Sequence, residues 1–264
     1  MKKKPFHQFF RVANYRRSLP IRVVAGAAEG FLRLYNNVNY DAVANGERRI
    51  LSLFGTRDII CIFDVGASVG EWLRLARECC PTATIHAFEI VPPSLEKLRL
   101  ATASDDKVII NGIGLADESR QQEIHYCSED PELSSAIAWG PASSTIVCQM
   151  TTGDAYCAER GVTHIDLLKL DVEGLELPAL RGFRQMLSTG SIACVQFEYG
   201  LVNIVPKFLL KDLYECLAAF GYVTGKVFPT YIDFRPYELT DETFEGPNYL
   251  AVRKDLTTLI QLLA

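Results

Sequence analysis

Ile59-Ile60-Cys61-Ile62-Phe63-Asp64-Val65-Gly66-Ala67-Ser68-Val69-Gly70-Glu71-Trp72-Leu73 joins an apolar run to an acid, two spaced glycines and the start of a helical pattern. The run reads as a buried strand, and the order strand, glycine turn, helix predicts a cofactor site. Gly66 and Gly70 allow a tight turn close to a ligand, and a helix starting near Val69 directs unpaired N–H groups at it. Asp64, at the carboxyl end of the strand, is placed to accept hydrogen bonds from a cationic or hydroxyl-bearing group. The dinucleotide spacing G-x-G-x-x-G is not met, because Ser68 and Glu71 occupy its second and third glycine positions. A carboxylate on the first helical turn repels a pyrophosphate, so a nicotinamide- or flavin-dependent oxidoreductase is disfavoured.

After the helical stretch Glu71–Cys80 and the breaker Pro81, Ala83-Thr84-Ile85-His86-Ala87-Phe88-Glu89 reads as a second strand ending in an acid. An acid about 20 residues beyond a glycine turn is where a ribose is held, since one carboxylate can accept from both ribose hydroxyls. Alone, Glu89 would read as a solvated strand-end acid; behind Asp64 and Gly66 it reads as a ribose ligand. Pro92 and Pro93 then open a helix over Ser94–Ala101.

The pattern D-x-G-x-S-x-G resembles the first motif of class I S-adenosylmethionine (SAM)-dependent methyltransferases, whose cofactor carries no phosphate. More specifically, His164-Ile165-Asp166-Leu167-Leu168-Lys169-Leu170-Asp171-Val172-Glu173-Gly174-Leu175-Glu176-Leu177 resembles the signature I-D-L-L-K-x-D-V-E-G-x-E of the FkbM family of methyltransferases. The resemblance runs from about Ile59 to Ala251. It departs at Ser68, where the family usually has Asn, and at Gly153, where a small aliphatic residue is usual. It implies a Rossmann-like class I methyltransferase fold with a mainly parallel seven-stranded sheet and helices on both faces. It also implies SAM as cofactor, held by Asp64, Gly66, Ala67, Ser68, Gly70, Glu89 and Asp117. The acceptor it implies is a hydroxyl of a sugar, glycan or secondary metabolite.

The residues themselves agree with this outline. Strand and helix patterns alternate along the chain, which argues for a mainly parallel sheet. Asp166–Val172 suits a central strand covered on both faces. Asp171 then falls at its carboxyl end, on the sheet edge shared by Asp64 and Glu89, with Glu173 on the loop that follows. Methyl transfer to an alcohol needs a proton acceptor, and the candidates are Asp171, Glu173 and, at the end of the strand Cys194–Glu198, Glu198. His125 is a weaker alternative, and the clustered acids could instead hold a divalent cation, although no diagnostic metal motif is present. Glu176 reads as a first-turn carboxylate favoured by the helix dipole. Lys169 reads equally as the partner of a neighbouring acid or as a catalytic group. A fold retired to a binding or scaffold role would have little use for acids clustered on one edge.

The chain of 264 residues fits one α/β domain over residues 55–264, preceded by a helical N-terminal cap over residues 1–54. A net charge of −5 gives no general attraction to nucleic acid. Basic residues gather instead at the N-terminus, where Lys2, Lys3, Lys4, Arg11, Arg16, Arg17 and Arg22 interleave with Phe6, Phe9, Phe10 and Tyr15. That segment offers a contact for anionic lipid or a partner, and the apolar stretch that follows, Ile21–Leu34, is expected to pack on the domain as a helical cap, with weak peripheral membrane contact as the lesser alternative. Ile21–Leu34 is too polar to span a bilayer, and without an export signal the expected location is cytoplasmic. The eight cysteines form no C-x-x-C pair and read as reduced structural thiols. The long segment Ser128–Ser144, containing Trp139, reads as a lid loop. The acceptor pocket is expected from the cap, this loop and the region around Tyr199–Pro206. Further on, Val108–Ala116 reads as a third strand and Gln122–Cys127 as its extension or hairpin partner. Helices are expected over Leu175–Leu187, over Val205–Phe220 and, capped by Asp255, over Leu256–Leu263, with strands at Tyr222–Phe228 and Asn248–Arg253.

Overall fold

The computed structural model describes residues 15–126 and 144–264. In chain order these form α1 (Leu19–Tyr35), α2 (Glu47–Gly55), β1 (Cys61–Val65), α3 (Glu71–Cys79), β2 (Thr84–Phe88), α4 (Pro92–Thr102) and β3 (Val108–Asn111). There follow β4 (Gly114–Leu115), β5 (Arg120–Tyr126), β6 (Ser144–Thr151), α5 (Gly153–Arg160), β7 (Ile165–Leu170), α6 (Glu176–Arg181), α7 (Arg184–Ser188) and β8 (Ile192–Glu198). The chain closes with α8 (Leu210–Ala219), β9 (Tyr222–Val227), β10 (Ile232–Phe234), β11 (Asn248–Arg253) and α9 (Thr257–Leu263).

β1 is covered on both faces, and all five of its residues are buried, with Asp64 the one charged residue in an otherwise apolar strand. β1 lies near the middle of an eight-stranded sheet of order β10-β9-β11-β8-β7-β1-β2-β3. The strands from β3 to β8 pair in parallel, while β11 runs antiparallel to both β8 and β9. This is the class I methyltransferase arrangement of seven strands, to which β10 adds a short eighth at the edge. Side chains alternate between faces with a period of two. Phe63, Val65, Leu168, Leu170, Val195 and Phe197 therefore build one core, and Ile62, Leu167 and Cys194 build the other.

Several elements differ from expectation for visible reasons. The third strand divides at Asn111, so that β4 leaves the main sheet and pairs with β6 in a three-stranded sheet with β5. β6 went unread in the sequence although its signal was present: Cys148 and Met150 are buried while Thr145, Val147 and Gln149 are exposed. The helix expected over Leu175–Leu187 breaks in two at Gly182, where a Cβ would overlap the carbonyl oxygen of Ala116. Asp154 restarts it by accepting from the backbone N–H groups of Gln185 (2.7 Å) and Met186 (3.0 Å). Gly153 has its explanation too, since the Phe183 ring fills the space that a side chain there would need. Residues 201–204 form a separate 3-10 turn, and α8 begins only at Leu210. Asp255 does not cap α9; it forks onto Arg253 at 2.6 and 2.8 Å.

The cap expected over residues 1–54 also divides. α2 buries Glu47, Ile50, Leu51 and Phe54 against the core and is part of the domain, whereas α1 buries no residue at all. The Lys2–Arg11 basic segment and all but the last residue of the Ser128–Ser144 loop, with Trp139, lie outside the described residues. Seven cysteines are described and all are free thiols.

Candidate functional site

Strand register brings the strand-end residues to one edge of the sheet. Val65 sits opposite both Phe88 and Leu170, and Leu170 sits opposite Phe197. The residues that follow, Gly66, Glu89, Asp171 and Glu198, emerge side by side. They line a cleft of about 1120 Å³ together with Ala67, Ser68 and Glu173. That volume accommodates a nucleoside cofactor and an acceptor together.

The glycine turn is held by the neighbouring strands. The N–H groups of Gly66 and Ala67 both donate to the carbonyl of Phe88 at 3.0 Å. Gly66 has φ +88°, and a Cβ there would overlap the carbonyl oxygen of Asp171. Its close approach is thus to the end of β7 rather than to a ligand. Gly70, also at φ +88°, precedes α3 and packs against Leu98 without lining the cleft. The Glu89 carboxylate closes the turn by accepting from Ser68 N (2.8 Å) and Val91 N (2.7 Å). Burial raises its pKa against the pull of these backbone donors. Each oxygen keeps a lone pair for a further donor.

Asp64 is fully buried and does not reach the cleft surface. The cation it meets is internal: Lys169 donates to Asp64 Oδ1 (3.2 Å) and to Asp171 Oδ2 (3.0 Å). Register explains the meeting, because Asp64 pairs with Lys169 across β1 and β7, and Lys169 pairs with Gln196 across β7 and β8. All three side chains therefore point to one face, where Glu47 of α2 covers them and accepts from Gln196 Nε2 at 2.7 Å. Burial pushes the Asp64 pKa up to about 6, with Lys169 opposing. Burial alone would lower Lys169, but Asp171, Asp64 and Glu47 outweigh it and raise its pKa.

Asp171 and Glu198 share a hydrogen bond and are pushed in opposite directions. Burial acts to raise Asp171, yet the Lys169 charge and hydrogen bonds from Glu198 and Lys169 hold it below the ordinary carboxylate range. Glu198 stands well above that range through burial and then the Asp171 charge. The pair's proton accordingly resides on Glu198. Glu173 lines the cleft with φ +49°. Its turn is clamped by buried Glu176, whose carboxylate accepts from the N–H groups of Val172 and Gly174 and from Asn203 Nδ2. Glu176 is a structural clamp, as the helix-start reading allowed.

Two expected residues stay apart from this group. Asp117 is not among the cleft-lining residues and pairs with Arg120 at 2.7 Å. His125 lies on β5 opposite Thr145, also outside the lining. The sequence reading missed Trp72 and the segment Thr243–Glu245, which line the cleft, and it did not single out Tyr40 within the cap it expected there. Trp72 falls on the inward side of α3 and its ring lies 5.3 Å from Lys169 Nζ, whereas Tyr40 and residues 243–245 arrive from distant loops with no local signature. Among the described residues, no group of three or more His, Cys, Asp or Glu is arranged to hold a metal ion.

The Methyltransferase FkbM domain model matches residues 64–223, more than half of the chain. The chain is also similar to the 2-O-methyltransferase NoeI of Sinorhizobium fredii, at 24% identity over 156 residues, covering 53% of this chain and 64% of that protein. Among solved structures it is similar to the SAM-dependent methyltransferase from Agrobacterium tumefaciens (TM-score 0.45, 10% identity, 79% of this chain and 61% of that one). It is also similar to Aeropyrum pernix fibrillarin with natively bound S-adenosyl-L-methionine (TM-score 0.41, 11% identity, 77% of this chain and 73% of that one). With the family match running from Asp64 at the end of β1 to Val223 on β9, across all four strand ends that meet at the cleft, the chain belongs to the FkbM family of methyltransferases.

Proposed function

We propose that this methyltransferase takes its methyl group from SAM and delivers it to a hydroxyl of a sugar, glycan or secondary metabolite. The cleft atoms fit an adenosyl cofactor. Ser68 Oγ and Trp72 Nε1 are buried polar atoms without a partner among the described residues, and both residues line the cleft. Glu89 retains acceptor capacity for ribose hydroxyls, and Ile90, Val91, Ile113 and Leu115 supply apolar walls for a flat base. Asp64 acts in this reading through Lys169 rather than by contact, and Asp117 drops out of the cofactor set. The NoeI relative is named a 2-O-methyltransferase, which favours an oxygen acceptor here.

Bound SAM supplies a methyl group on a sulfonium centre that leaves as a neutral thioether. The protein's part is to orient the acceptor and remove its proton; orientation alone is worth on the order of several kcal/mol. The observation that carries the reading is the Asp171–Glu198 pair at the cleft edge. Lys169 holds Asp171 as a carboxylate, which leaves Glu198 as the group that titrates. Deprotonated Glu198 takes the hydroxyl proton as the oxygen attacks, so the rate rises with pH through the Glu198 titration. Glu198→Gln is expected to lower turnover about 100-fold and to flatten that rise. An unchanged pH profile in this variant would remove Glu198 as the base. Glu173→Ala is expected to lower turnover more than SAM affinity, as read by single-turnover kinetics beside calorimetry; the opposite pattern would make Glu173 a cofactor residue.

Calorimetry with SAM, S-adenosylhomocysteine and NADH tests the cofactor directly. Binding of both adenosyl ligands without NADH supports the reading, after which hydroxylated acceptors are screened for methyl incorporation. Folded protein that binds no adenosyl ligand would leave a scaffold role in its place.

A further inference from the structure

α1 presents seven large apolar side chains to solvent: Leu19, Val23, Val24, Phe31, Leu32, Leu34 and Tyr35 are each at least 52% exposed. Nothing in the described domain covers them, since no α1 residue is buried. At about 100° per residue, Arg22, Glu29 and Arg33 fall together on one narrow stripe, and Val24, Ala27, Phe31 and Leu34 fall opposite it. The helix is amphipathic, with a wide apolar arc and a narrow charged stripe.

We propose that α1 seats this enzyme on an anionic lipid surface. Charge selects the occupant. Residues 1–35 contain eight Lys and Arg against the single acid Glu29, in a chain whose net charge is −5. A second copy would bring like-charged segments together, whereas an anionic bilayer under the apolar arc meets Arg16, Arg17 and the basic residues that precede them in the sequence with complementary charge. At 17 residues and with three charges, α1 lies on a bilayer and does not cross it; no described helix is long and apolar enough to span one. Glu29 and Arg33 on its polar stripe border the cleft, so the apolar arc opposite them faces away from the domain and is open to a bilayer. The inference does not depend on the methyl acceptor proposed above.

The test is sedimentation of the full chain with phosphatidylcholine vesicles with and without roughly 30% phosphatidylglycerol. Binding is expected only to the anionic vesicles, weakening as salt is raised. Val24→Glu with Phe31→Glu, and separately Arg16→Glu with Arg17→Glu, are each expected to weaken it at least about tenfold. Because α1 contributes nothing to the core, both double variants should keep the unchanged protein's melting temperature and SAM affinity. Absence of vesicle binding overturns the proposal, and so does a solution dimer that Val24→Glu with Phe31→Glu dissociates without any effect on vesicles. Salt-insensitive binding to both vesicle types overturns the electrostatic part that chose the lipid.

Discussion

Glu89→Ala is expected to weaken SAM binding by about 100-fold or more while leaving the protein folded. The side chain does two things at once. Inside the protein it ties the glycine turn to the end of β2 by accepting from Ser68 N and Val91 N. Toward the cleft its remaining lone pairs are the acceptors that two ribose hydroxyls need. Hydrogen bonds to a charged group contribute about 1.5–3 kcal/mol each, and 1.4 kcal/mol is a factor of ten, so losing both exceeds two orders of magnitude. Glu89→Gln, with one acceptor oxygen and no charge, should fall between. Calorimetry reads the affinities and a thermal melt reads the fold. Affinity within about threefold of the unchanged protein in Glu89→Ala would remove the ribose assignment.

The strand-end acids could be read from sequence because each is local: an apolar run, then a carboxylate, then a turn. What the sequence did not give away was which of those acids face the ligand and which face each other. Asp64 had the right residue type for a cation at the right place, and it has one, but the cation is Lys169, 105 residues away along the chain. Only the register of β1 against β7 and β7 against β8 aligns Asp64, Lys169 and Gln196 into a polar row. The glycines teach the same point. Gly66 is required by the backbone of Asp171, and Gly153 by the ring of Phe183, contacts formed between segments far apart in sequence. β6 is different, because apolar Val147 sits on its exposed face and blurs the apolar–polar alternation that would have marked the strand. α1 misled in the opposite direction: an apolar helical pattern implies a partner surface, and the pattern alone cannot say that the partner lies outside the domain.

The polar row gives the site a division of labour. Its inner part, Gln196 and Asp64, does not line the cleft, whereas Glu47 and Lys169 reach its wall. Its outer part, Asp171 and Glu198, meets the cleft and exchanges protons. Asp171, then Asp64 and Glu47, keep Lys169 charged despite burial, Lys169 keeps Asp171 ionised, and burial together with ionised Asp171 raises Glu198. The pKa of the proposed base is thus set by groups that need never touch substrate.

Lys169→Met accordingly carries the largest expected cost in stability, about 3–5 kcal/mol at pH 8, because it leaves the buried Asp64 carboxylate without a counter-charge. The methionine chain can still pack near Trp72, so lost volume is a minor part. The deficit depends on pH with a definite sign. Burial already raises Asp64 to about 6 with Lys169 present, and removing the ammonium raises it further. A carboxyl whose folded pKa is raised costs stability as pH rises from its unfolded value of about 4 up to the folded pKa and no further, so the variant's extra deficit accumulates above about pH 6, where Asp64 in the unchanged protein is already ionised. At pH 5 most Asp64 in the variant is neutral and the deficit should shrink; at pH 8 it is full. Asp64→Asn in the Lys169→Met background removes the stranded charge and should recover a large part of the loss at pH 8, with little gain at pH 5. Denaturant unfolding of the single and double variants at both pH values measures all four quantities. A deficit that is the same at the two pH values and is not relieved by Asp64→Asn would mean that Lys169 serves packing, and that the charge row does not govern the site.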